Sequence, residues 1–95
     1  MNEEVKILTL NLDGKKGVNI LKSRYDMMKI SIINALKVHK ELTLSELNSI
    51  VEEDLKEKFD GKIGWYLMAI KLDLEVREII ARVPNKSPQT LGLIR

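Results

Sequence analysis

The sequence contains no cysteine and a single histidine, His39. Without thiols there are no disulfides, thiolate metal sites or cysteine nucleophiles, and one imidazole cannot build a histidine-based metal centre. Long hydrophobic runs are missing too. None approaches the roughly 18 apolar residues that a membrane-spanning helix needs, and the opening MNEEVK is too acidic and polar for a signal peptide, so the expected location is the cytoplasm. No repeat, low-complexity run or linker interrupts the chain. No nucleophile stands with a base partner in any recognisable pattern, so no enzymatic activity and no cofactor are expected. GKKG, from Gly14 to Gly17, lacks the spacing and the terminal GK[ST] of a phosphate loop. Glu52, Glu53 and Asp54 are consecutive, so on a helix they point in different directions and cannot converge on a metal.

A dominant charge is also lacking. Sixteen basic and fourteen acidic residues leave a net charge of +2. Residues 1–40 hold eight basic and four acidic groups, 41–60 two and seven, and 61–95 six and three. Affinity for DNA rests largely on neutralised phosphates, and a strong binder displays a denser basic stripe than this. The charge distribution permits DNA contact without pointing to it.

The chain does have the makings of one folded domain spanning residues 1–95. It is 44% hydrophobic and 32% charged, the balance of a soluble globular chain. Val5 to Leu12, VKILTLNL, alternates with period two, placing Leu8, Leu10 and Leu12 on one side and Val5, Ile7 and Thr9 on the other. It ends at an Asp13-Gly14 turn. Lys15, Lys16 and Gly17 read as an exposed basic loop, followed by a second extended piece at VNI. Ser23 and Asp26 mark a helix start. From there Tyr25, Met28, Ile32, Ala35, Leu36 and His39 share one arc to about Val38. Met27, Ile30 and Ile33 fall off that arc, which implies that more than one side of the helix is hidden. His39 reads as a packing or capping residue. Thr43 and Glu46 form a capping box ahead of a second helix with the stripe Leu44, Leu47, Ile50, Val51, Leu55 and Phe59; Glu52, Glu53 and Glu57 are its solvated side. After the break at Asp60-Gly61 a third helix runs into a strand at Ile80–Val83. A turn at residues 84–88 and a returning strand at Thr90–Ile94 complete a hairpin.

The order strand, three helices, hairpin is that of a winged helix-turn-helix domain, an α+β fold. IKLDLEVREIIARV is similar to the end of the recognition helix and first wing strand of many winged-helix regulators, with Leu74, Glu75, Ile79, Ile80 and Arg82 in the matching places. With LNLDGKKGVNI, RYD, GWY, KLDLE and RVPNKSPQTL as landmarks, nearly the whole chain resembles a family of small uncharacterised prokaryotic winged-helix proteins. That resemblance implies a fold but no substrate or ligand. One departure stands out: Glu78 occupies the helix-end position where most winged helices have glycine, so either the helix ends differently or the site carries a cost of roughly 1 kcal/mol.

The third helix presents two apolar arcs. Ile63, Leu67, Ile70 and Leu74 belong on the other helices. Trp65, Met68, Ala69, Leu72, Val76 and Ile79 lie where a DNA-reading helix normally shows polar groups, and such side chains offer almost nothing to base edges. The polar strips between, Lys62 with Asp73 and Arg77, and Lys71 with Glu75 and Glu78, are narrow and charge-mixed. Three coverings of the Trp65, Met68, Leu72, Val76 arc follow: the N-terminal strand or wing, a homodimer partner, or DNA, on which Trp65 and Tyr66 would stack. Candidate phosphate contacts are Lys15, Lys16, Lys62, Arg82, Lys86 and Arg95, supporting at most weak, salt-sensitive binding to double-stranded DNA. Two functions are therefore expected in competition: a DNA-binding or transcription-associated role, and a protein-interaction or homodimerisation module that buries the third helix and reads no DNA.

Overall fold

A computed structural model describes residues 5–11 and 16–94. The elements run β1 (Lys6–Leu10), β2 (Lys16–Leu21), α1 (Lys22–His39), β3 (Glu41–Thr43), α2 (Leu44–Leu55), α3 (Ile63–Val76), β4 (Ile80–Arg82) and β5 (Thr90–Leu93). β1 and β2 form an antiparallel hairpin; β3, β5 and β4 form an antiparallel sheet in that order. The fold is thus α+β, an N-terminal hairpin followed by three helices and a C-terminal sheet, in a winged-helix-like topology whose wing is β4–β5. Among the described residues no helix is long and apolar enough to cross a membrane.

One core unites these parts. Met28, Ile32 and Leu36 of α1, Leu47, Val51 and Leu55 of α2, and Leu67, Ile70 and Leu74 of α3 meet in its centre, closed by Leu42, Ile80 and Leu91 of the sheet. The α2 stripe and the inner α3 arc therefore pack as their helical spacing dictates. At the start of α2, Thr43 Oγ1 accepts from the Glu46 N–H at 3.1 Å, and Glu46 Oε1 accepts from the Thr43 N–H at 2.9 Å. That backbone hydrogen bond holds the Glu46 carboxyl below its ordinary range.

Several sequence expectations need correction. α1 has no side-chain cap: β2 runs straight into it through Leu21, Ser23 lies inside the helix, and Asp26 pairs with Lys22 at 2.5 Å. His39 is exposed, because the last turn of α1 projects beyond the core. Met27 and Ile30 are exposed as well, so the second side of α1 is not hidden within the domain. β3 is an additional strand, three residues long, in which Leu42 pairs with Leu91; so short a segment shows no periodicity. Along β1, Thr9 is buried and Ile7 partly so, while Leu8 is exposed. Lys16 and Gly17 belong to β2 rather than to a loop; the Asp13-Gly14 turn and Leu12 lie outside the described residues.

The N-terminal hairpin is tied by side chains as much as by its ladder. Its register shifts between Leu8 and Leu10, and there Thr9 Oγ1 accepts from the Val18 N–H at 2.9 Å and donates to the Val18 carbonyl at 3.1 Å. Glycine at position 17 makes room for this, since a Cβ there would collide with Thr9 Oγ1.

Candidate functional site

Helix α3 sits between the N-terminal hairpin and the wing sheet, and each neighbour takes one of its polar strips. On the hairpin side Asp73 is fully buried. Its carboxylate accepts from the Leu10 N–H at 2.8 Å, from the Tyr25 hydroxyl, and from Arg77 Nε at 3.0 and 2.9 Å. A single carboxylate thereby joins β1, α1 and α3, and its hydrogen bonds offset the desolvation that would make an unpartnered buried charge costly. The tie acts on its partners. Burial, then the bond to Asp73, pushes the Tyr25 phenol well above its ordinary value of 10.0, and the bond to Asp73 raises Arg77 further.

On the wing side Lys71 is buried, its Nζ 3.2 Å from Glu75 Oε2 but poorly aligned for a hydrogen bond; Glu75 Oε1 accepts from Arg82 Nε of β4 at 3.3 Å. Asp73 and Arg77 of one strip, and Lys71 and Glu75 of the other, are therefore internal fasteners of α3, while Lys62 and Glu78 stay exposed. The charges of these four residues bind the helix to its own domain.

What remains outward is apolar. Trp65 is 52% exposed and Met68 42%. Ala69, Leu72 and Val76 continue the face and are partly buried. Two depressions flank Met68. One, of about 240 Å³, lies between α3 and the hairpin, with Thr9, Gly17 and Val18 opposite Trp65, Ala69 and Leu72. The other, of about 470 Å³, lies between Leu67 and Met68, the start of α2 at Leu44, Ser45 and Asn48, and the loop residues Pro88 and Gln89. The hairpin thus covers the Leu72 end of the Trp65, Met68, Leu72, Val76 arc and leaves the Trp65–Met68 end open. Trp65 is braced edge-on by Tyr66 with ring centroids 4.9 Å apart, and Tyr66 by Phe59 at 5.0 Å. The Tyr66 hydroxyl accepts from Arg24 at 2.9 Å, and Arg24 also pairs with Asp60 at 2.8 Å. Gly61, at φ +138°, lets the chain turn above the Tyr66 ring, 2.6 Å from where a Cβ would sit. The open end of the face is consequently rigid, with its aromatic side chain held in place.

The basic candidates are dispersed. Arg82 is drawn to Glu75, and Lys86 pairs with Glu41 at 2.5 Å. Lys62, the residue before α3, and Lys16, next to Gly17 at the edge of the smaller depression, are exposed and have no carboxylate partner among the described residues. Lys15 and Arg95 lie outside the described residues. Local sequence signals omitted both the Asp73 tie and the aromatic brace; the nearest trace of the brace is the closeness of Phe59, Trp65 and Tyr66 around a glycine turn.

A comparison with curated proteins returns no match. The model of a family of unknown function, DUF6958, matches residues 6–91, and the chain belongs to that family.

Proposed function

From this family membership and this surface, we propose that the domain is a protein-interaction module built on a winged-helix scaffold, with the outward face of α3 as its docking surface. The observation that carries the reading is the half-exposed pair Trp65 and Met68 on a face with no side chain suited to base edges. A rigid aromatic anchor beside apolar depressions is what the centre of a protein interface uses. The partner that fits is an apolar segment of another polypeptide, uncharged where it meets Met68. A photo-crosslinking residue substituted at Met68 should give protein adducts, and one at exposed Glu57, in the turn after α2, should not. Adducts to nucleic acid from position 68 would overturn the reading.

A second reading, DNA binding in a transcription-associated role, draws support from the winged-helix-like topology together with exposed Lys16 and Lys62 beside the same face. It is the weaker of the two because Arg82 and Lys86 are already engaged by carboxylates, which lowers the charge available to phosphates.

A further inference from the structure

Helix α1 carries a second apolar surface, separate from the α3 face. Ile30 is 58% exposed and Val38 74%, Met27 is exposed, and Ile33 is partly so. Wound at about 100° per residue, Asp26, Ile30, Ile33 and Lys37 fall within an arc of about 60°. Met27, Asn34 and Val38 border this arc on one side. The buried residues Met28, Ile32, Ala35 and Leu36 lie across the helix from it.

These residues are placed symmetrically. Ile30 and Ile33 are equally far from the midpoint of the arc, level with the peptide bond between Ser31 and Ile32, and so are Asp26 and Lys37. We propose that α1 packs antiparallel against α1 of a second copy about a two-fold axis at that midpoint. Ile30 then meets Ile33 of the partner copy, and Asp26 meets Lys37 of the partner copy, each contact made twice as an isologous interface requires. Met27 lies at the margin of this contact, level with the gap between Asn34 and Val38 of the other copy. The charges support a second copy over an unrelated protein. Among the described residues, Asp26 accepts only from Lys22, through Oδ2, and Lys37 has no ion pair. A single helix pair, about 27 Å long, buries an area at the low end of specific interfaces, so dissociation in the range of roughly 1–100 μM is expected.

The test is sedimentation equilibrium of the full chain across that range, with circular dichroism to confirm that each variant folds. The wild type should pass from one to two chain masses. Ile30→Glu should stay monomeric. Asp26→Lys and Lys37→Asp should each weaken association roughly tenfold, because like charges then face each other twice, and the double variant should regain most of the loss. That rescue depends on the two residues meeting across the axis and would not follow from a merely structural role. A monomer at all concentrations, a dimer that survives Ile30→Glu, or reversals that fail to compensate would overturn the proposal. The same holds for a dimer lost only on Met68→Glu, which would move self-association to the α3 face.

Discussion

Asp73 organises the molecule at the scale of the residue. Three donors converge on it, from β1, α1 and the residue that caps α3, the most distant in sequence being Leu10, 63 residues away. Tyr25 is the partner whose chemistry makes the tie measurable. Its folded-state value is raised by burial and by Asp73, so the neutral phenol is the form the fold favours. The stabilisation is fully present below the unfolded value near 10 and is lost as pH rises above it toward the higher folded value. Ionisation would set a phenolate against the Asp73 carboxylate. In a Tyr66→Phe background, which leaves Tyr25 as the only phenol, Tyr25 should therefore ionise only as the fold opens, with ultraviolet phenolate absorbance and loss of helical circular dichroism rising together above about pH 10. A Tyr25 that titrates reversibly near pH 10 with the fold intact would show that the tie is absent. None of this could be read from helical spacing. Asp73 and Lys71 sit in polar strips that periodicity assigns to solvent, and their burial depends on where the hairpin and the wing come to rest.

Individual elements differ in how far local chemistry announces them. The Thr43–Glu46 box marks α2 because both donors and both acceptors lie within one turn. α1 has no such signal, since it begins in continuity with β2, and β3 is too short to show a period. The end of α3 is the informative case. The Ile79 N–H donates to the Leu74 carbonyl at 2.9 Å and the Glu78 N–H to the Glu75 carbonyl at 3.1 Å, the paired bonds of a Schellman stop. Glu78 has φ +60°, so the helix ends as glycine-terminated winged helices do, with a glutamate in the left-handed position. Of the two alternatives raised by the sequence, the strained one is realised. Glu78→Gly should relieve this and stabilise the domain by about 1 kcal/mol, seen as a higher urea midpoint at unchanged slope. An unchanged or lower midpoint would mean that Glu78 is not strained.

For the whole molecule, the succession of three helices and a closing hairpin was legible, though β3 was not, because amphipathic helices separated by Gly and capping signals leave few ways to close a small core. The division of α3 into an inner and an outer arc was legible for the same reason. What covers the outer arc was not, because that depends on how a two-stranded hairpin docks across long range, through the Leu10–Asp73 bond. The docked hairpin shields Leu72 and leaves Trp65 and Met68 open, and the helix in the place that reads DNA in winged-helix regulators is here bolted to its own domain by Asp73, Lys71 and Glu75. The proposed role as a protein-docking module rests on that redistribution of polarity. Anisotropy of a labelled random-sequence duplex, titrated with the full chain at low and then moderate salt, tests it most directly. The expected result is no saturable rise even at low salt; a saturable rise that falls steeply as salt is added would contradict it.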